Sequence, residues 1–580
     1  YSLAGTLLVM LVLAPGCSDD DDPMSPGGTD LVTVEISPRT AVMTSIGQSL
    51  QFDATAYDAS GAVVETTITW STSDTSVLSV DAQGLAIARA VGSAQIVASV
   101  DGATDTAAIV VDQLDAVQNS WRSAVNGNWS DPNNWSAGTV PGPDEIAVID
   151  RPGNYIVTLT GDVTVGGVIL GGAGSVGLAT GSYSLTVDEC RLDDGAVLDV
   201  SGAVVIADVG VWLGGDIIGP GTLTVSRGAE FNCAGSNLEL RTALSNLGVV
   251  RIMADSRMAM LGGSLVNADG GILELRNNGI LSNQSNSSLT NSGTLRKSVG
   301  QEEAKITDLA GTLTSTGSIV VEEGGLYLNG GNLRGTMDIS SGAVLRQGGS
   351  TVIAGLNAAG DGTFEIGGRV TAGTYDGQQI DFANLTINGS LSPALQGPAS
   401  VSIRGSFDWR KGSIADVPTL TTYSSSITRL STTDVKRLSN CRWEAYGVVE
   451  SVDRLDLYLD NGAAIEVANT GLWHQQEWGK ISAGEGGNGG VLILGRMLMT
   501  SSGTLTVAPA LTCEGTLDLD GDGPLVMQGD FLLAENGVLA GGGAGELGMN
   551  FRLGLSLTAT SVLAGTVSPD YDGGPGRLGI

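Results

Sequence analysis

From Trp121 onward the chain repeats one small theme: four to six residues of alternating apolar and polar character, a glycine or Asn-Gly turn, then another such run. Ala196-Val197-Leu198-Asp199-Val200-Ser201-Gly202, Gly221-Thr222-Leu223-Thr224-Val225 and Gly271-Ile272-Leu273-Glu274-Leu275 carry it, and Gly-Thr-Leu or Gly-Ser-Ile openings recur at Gly293, Gly311, Gly317, Gly503 and Gly515. A strand this short has one apolar side and nothing in its own repeat to bury it against, so the repeats must stack. Helical periodicity is nearly absent. The pattern predicts an all-β chain whose region 121–580 is a long right-handed parallel β-helix, a solenoid. At about 22 residues per coil it makes about 20 coils, and ~4.8 Å per strand layer gives a rod near ~100 Å.

Composition agrees with this reading and narrows the partners. Glycine supplies 86 of 580 residues, about twice the usual ~7%, without the three-residue period of collagen. Apolar residues make up 42% and recur in bursts, which excludes a disordered chain. The formal charge of −34, from 28 basic and 62 acidic residues, disfavours nucleic acid and a direct electrostatic grip on anionic lipid.

The first residues speak to location. Leu3 to Ala14 is an apolar run too short to cross a bilayer and suited to the core of a signal peptide, 1–17. The chain opens on Tyr1 without a basic leader, so it reads as starting inside that peptide. Leu13-Ala14-Pro15-Gly16-Cys17 resembles a lipobox, which implies lipidation of Cys17 and a stable anchor of two or more acyl chains. Ser18 to Asp22 holds four successive aspartates and leads through Pro-, Gly- and Ser-rich residues to Asp30, a self-repelling tether over 18–30. Cys-Ser-Asp-Asp-Asp-Asp is similar to the acidic signal with which some Gram-negative lineages send lipoproteins to the outer face of the outer membrane. The resemblance implies a surface-exposed outer-membrane lipoprotein whose membrane partner is reached through the lipid.

The other cysteines, Cys190, Cys233, Cys441 and Cys513, follow no metal-ligand spacing. Cys190 and Cys233 fall two coils apart, about 9 to 10 Å along the axis, beyond the ~7 Å that a disulfide spans. Free, buried thiols are expected.

Between Leu31 and Asp112 about seven short alternating strands are expected, among them Leu31 to Ile36, Ser49 to Tyr57, Thr67 to Trp70 and Ala94 to Val100. Trp70-Ser71-Thr72-Ser73-Asp74, Val80-Asp81-Ala82-Gln83-Gly84-Leu85 and Ala90-Val91-Gly92-Ser93-Ala94-Gln95-Ile96 resemble a bacterial Ig-like domain of group 2. The resemblance implies a β-sandwich over 31–112 that acts as a spacer or adhesion module, with Trp70 filling its core and Gly84 and Gly92 serving turns. A linker, 113–120, leads to Trp121, Trp129, Trp135 and Val140-Pro141, a block that resembles the opening of large secreted β-helix proteins, including autotransporter-like passenger regions. It implies a cap over 121–145, with a sugar platform as the rival use of the tryptophans. Asn291 to Lys297, Gly325 to Gly331 and Ala383 to Gly389 resemble repeats of large bacterial β-helix surface proteins. The glycine-rich ending after Gly565 reads as a fragment whose C-terminal segment is missing.

Chemistry is harder to find. His474 is the single histidine, so Ser-His-Asp or histidine-metal catalysis depends on it alone; a loop histidine beside aromatics is the plainer reading. Trp409, Trp443, Trp473 and Trp478 offer stacking faces for a polysaccharide or, in the plainer reading, core packing. Asp518, Asp520 and Asp522 before Gly523 copy the first half of an EF-hand loop, a calcium candidate, although the twelfth position is Gly529 where a bidentate acid belongs. No other cofactor is implied. Glu302-Glu303 and Glu322-Glu323 are adjacent on strands and point apart, so no catalytic constellation assembles. The expectation is a non-catalytic surface lipoprotein for adhesion or contact, with glycans or surface proteins as partners and the Ig-like module as stalk. The alternative is a carbohydrate-active β-helix lyase or hydrolase, which needs clustered acids across coils.

Overall fold

In the computed structural model the described residues are 31–43, 45–58, 60–90, 92–111, 117–284, 286–298, 300–307, 313–374, 379–487, 489–521, 525–534, 536–541, 562–563 and 566–569. Cys17, the tether and Asp522 lie outside them.

Residues 31–111 form three small sheets. Leu31–Ser37, Asp53–Asp58 and Val63–Val64 pair antiparallel. Thr40–Met43 runs parallel to Ala103–Val111, which is antiparallel to Gly92–Val100, itself paired with Thr69–Thr72. Ser49–Gln51, Leu85–Ala88 and Leu78–Val80 make the third sheet. Alternation turns Val34, Ile36, Ile96 and Ile109 inward onto Phe52 and Leu78. Trp70 departs from expectation: it packs on the rim of this core, only partly buried. Its ring lies against Gly84, whose φ of +82° and whose closeness to the Phe52 carbonyl leave no room for a side chain. Gly92 is not at a turn but begins a strand.

From Val117 the chain winds into a parallel β-solenoid of about 18 turns. Strands pair only with those of neighbouring coils; most residues meet the one 18 to 26 positions on, as Thr314 meets Asn332 and Gly479 meets Leu505. From residue 264 most coils contribute three strands; over 325–359 two of the three run together, so that Gly331–Ile339 pairs with both Leu313–Ser315 and Ser318–Val321. Ser264–Asn267, Ile272–Leu275 and Ile280–Gln284 stack on Ser288–Asn291, Thr294–Lys297 and Glu303–Thr307. Within a strand every second side chain enters the interior: Ile465 and Val467 point in, Ala464 and Glu466 out. One apolar core runs from Trp121 to Leu539. A polar column accompanies it. Asn246 donates to Asn267 Oδ1 (2.7 Å), Asn267 to Asn291 Oδ1 (2.7 Å) and Asn291 to Ser315 Oγ (3.0 Å), all fully buried, so identical positions on four coils satisfy one another.

The three tryptophans of the opening block close the N-terminal end of this core. Trp121 meets Trp135 edge-on (5.1 Å between ring centroids), Trp129 meets Trp135 (4.8 Å), and all are buried. Cys190, Cys233, Cys441 and Cys513 are free and buried, as their spacing suggested. Burial pushes the thiols of Cys190 and Cys441 up to about 12 and that of Cys513 up to about 11, which keeps them unreactive.

Candidate functional surface

Register turns the outward side chains into columns along the rod. On one face Tyr327, Arg346, Glu365, Thr386, Asp408, Arg429, Glu450 and His474 succeed one another coil by coil. Arg346 bridges Glu303 and Glu365 (3.2 Å to the latter), and Arg429 reaches Glu450 at 3.3 Å. On another face Arg442 holds Glu444 (3.1 Å) and Glu466. Such half-exposed pairs each contribute about 0 to 1 kcal/mol. Together they fasten coil to coil and leave a stiff, polar side surface.

Three of the four tryptophans singled out in the sequence serve the interior. Trp409, Trp443 and Trp473 are buried in the core, where Trp443 meets Trp409 edge-on (6.2 Å between ring centroids) and Trp473 at a tilt (6.0 Å). They occupy the inward phase of their strands, so no sugar reaches them. Trp478 is different: 48% exposed, it carries the Arg454 guanidinium over its ring at 4.5 Å. His474 faces Thr500 Oγ1 (3.0 Å) through Nε2 and Gln476 (3.2 Å) through Nδ1. Asp518 is ion-paired to Arg496, and Asp520 is exposed beside it. Among the described residues no group of three His, Cys, Asp or Glu side chains is placed to hold a metal, and Asp522 lies outside them.

Sequence reasoning missed the densest polar cluster, which lies where the 31–111 unit meets the solenoid. Instead of standing in series as a stalk, that unit packs against the flank of the coils. Leu85 and Ile87 bury themselves on Val211 and Met253. Asn232 donates to the Gly47 carbonyl (3.1 Å), and Arg191 to the Arg89 carbonyl. At the centre sits Glu274, fully buried, accepting from Arg251 Nε (2.9 Å), Arg276 Nη1 (3.1 Å), Arg296 Nη2 (3.2 Å) and Ser298 Oγ (2.6 Å). Arg276 continues across the junction to Asp81 (3.2 Å) and Gln51 (3.1 Å). Arg251 continues to Glu230 (2.6 Å), which takes a hydrogen bond from Ser49 (2.7 Å). Burial alone raises the Glu274 pKa, but the Ser298 hydroxyl and three guanidinium groups overcome it and hold the carboxyl below its ordinary value. Three arginines around one carboxylate suit it to an ionised, structural role.

No known protein family and no curated protein matches the chain. Among the described residues no helix is long and apolar enough to cross a membrane.

Proposed function

We propose that this chain is a non-catalytic surface lipoprotein that makes contact with other surfaces, glycans among them, along the side of its solenoid. Cys17 provides the anchor and the acidic segment 18–30 the reach. An Ig-like unit braces the flank of the coils. Supporting the anchor are the apolar run before Cys17 and the aspartates after it. The Ig-like reading draws on the Trp70, Gly84 and Gly92 motifs together with the small antiparallel sheets. The observation that carries the contact reading is the use of outward charge. Arg346, Arg429 and Arg442 are engaged with acids of the same or neighbouring coils, which makes an extended, rigid and hydrated face of the kind that contact proteins present. Binding of the labelled chain to a glycan array and to intact cells tests this; a chain that binds neither rejects it. Incorporation of labelled palmitate, lost in Cys17→Ser, tests the anchor, and unchanged labelling of that variant rejects it.

One feature favours the second reading, a carbohydrate-active enzyme. A cleft of about 460 Å³ on a floor of Gly360, Ala383 and Gly405 is walled by Asp361, Asp381 and Arg404. Glycoside hydrolysis uses a pair of carboxyl groups, which Asp361 and Asp381 supply, and the Arg404 guanidinium adds a positive charge to the same cleft. Release of reducing sugar or unsaturated product, lost in both Asp361→Asn and Asp381→Asn, establishes that reading in place of the first.

A further inference from the structure

One sheet face of the solenoid, over Lys436–Ser439, Leu455–Asp460 and Gly479–Ala483, gathers cations and aromatic rings on a chain whose acids outnumber its bases 62 to 28. Leu455, Leu457 and Leu459 fill the core, so Asp456, Tyr458 and Asp460 turn outward. Register sets Arg437 beside Tyr458 and Lys480 beside Asp456. The Arg437 guanidinium lies 4.4 Å from the Tyr458 ring centroid, and Lys480 Nζ donates to the Tyr458 hydroxyl (3.1 Å). At the edge of the same face stand Arg454 and Trp478, both exposed, the guanidinium over the ring. The acids lie underneath. Asp460 pairs with Arg437 (3.2 Å) and Asp456 with Lys480 (3.5 Å), yet the two carboxylates are only 10% and 12% exposed against 42% and 40% for their cations. Among the described residues Arg454 is in no ion pair. Of the acids in the adjoining corner, Asp453 accepts from the Thr432 amide (2.7 Å), and Glu477 stands exposed.

We infer that this face binds an acidic glycan, a chain of sugar rings bearing carboxylate or sulfate. The inference rests on the glycan-contact reading and gives it a ligand class and a site. Arg454 and Arg437 take the anionic groups through their guanidinium donors, and the exposed Trp478 ring takes the C–H face of a sugar. The face is open, ~10 Å along the rod axis and ~13 Å along the strands, which suits a polymer laid across it. Charges beyond a Debye length of ~8 Å are largely screened, so the ligand responds to these cations and not to the acids of distant coils. Duplex nucleic acid carries a charge every ~1.7 Å, too dense for three cations to offset.

The test titrates the full chain, by calorimetry, with hyaluronan, alginate and heparin oligosaccharides, with their methyl-esterified or desulfated counterparts, and with a thymidine oligonucleotide. Binding of at least one acidic oligosaccharide, weakened at least tenfold in both Arg454→Gln and Trp478→Ala with the melting temperature unchanged, supports the site. Both exchanges are on exposed side chains, so the variants stay folded. Arg429→Gln, on another face, is expected to change the affinity less than twofold. Hyaluronan and alginate against heparin tell carboxylate from sulfate. Undiminished affinity in either variant, or equally tight binding of the neutral counterparts or of the oligonucleotide, overturns the assignment and leaves the glycan reading standing. Absence of binding by every acidic oligosaccharide also overturns it, and a blank glycan array rejects the glycan reading with it.

Discussion

Replacing Asn267 by leucine tests how the solenoid holds its coils in register. Asn267 is fully buried, accepts from Asn246, and donates to Asn291 Oδ1 at 2.7 Å and to the Thr294 carbonyl at 3.0 Å. Leucine is close in volume, so the cost comes from polarity and not from a cavity. Asn291 Oδ1 and the Thr294 carbonyl each lose a donor. Asn246 Nδ2 keeps its bond to the Ile272 carbonyl (2.8 Å), so its loss is the smaller. At about 1 to 3 kcal/mol for each buried group left unpaired, less the gain from burying a leucine, the net is about 3 kcal/mol. A solenoid need not unfold in one step, so a single global free energy is the wrong readout. Hydrogen exchange reads the coils directly. Amides of Ser264–Asn267 and Ser288–Asn291 are expected to exchange about a hundredfold faster, since 1.4 kcal/mol is a factor of ten. Val266→Ala, on the same strand but pointing outward, is expected to change exchange by less than about threefold. Equal protection in Asn267→Leu and the wild type refutes the idea that the asparagine column fixes the register.

The docked unit gives a second prediction. The carboxyls of Glu230 and Glu274 lie below their ordinary 4.5, and a lowered acid stabilises above its unfolded value and loses that stabilisation as pH falls. Exchange of Leu85–Ala88 is therefore expected to quicken below about pH 4.5, and Arg276→Ala to produce the same release at neutral pH; retained protection in both contradicts the network's role. Lys297 and Lys436 are buried with their ammonium groups on backbone carbonyls, and burial, the largest influence, lowers each pKa to about 8 from 10.5. Between those values the unfolded chain holds more protons, so stability rises with pH by up to about 3 kcal/mol per lysine. The difference in melting temperature between the wild type and the Lys297→Met/Lys436→Met double variant, followed from pH 8 to 10, is expected to change accordingly; a flat difference contradicts it.

How much of this was readable in the sequence depends on phase. The solenoid was legible because glycine turns and two-residue alternation are local signals, and stacking is the only way to bury one-sided strands. Trp409, Trp443 and Trp473 were ambiguous because alternation says that neighbours point apart, not which of them points inward. Their strands settle it: in Leu472–Gln475, Trp473 and Gln475 face the core while Leu472 and His474 face out. The docking of the 31–111 unit left a faint trace. Leu85-Ala86-Ile87-Ala88 is apolar on both faces, and all four residues are buried. Val209 to Trp212 is likewise buried on both faces. A strand without a polar face inside an alternating chain marks a surface covered by something else, but nothing local names the cover. Arg276 and Asp81 lie 195 residues apart, and their ion pair exists only once both elements are folded and docked.

Electron microscopy of single particles tests the architecture most directly. About 18 turns at ~4.8 Å per layer predict a straight rod of about 85 Å carrying one small knob on its flank, in the half nearer the N-terminal tryptophan cap. A knob standing clear of the rod's end contradicts the docked arrangement, and a compact particle without a rod contradicts the solenoid itself.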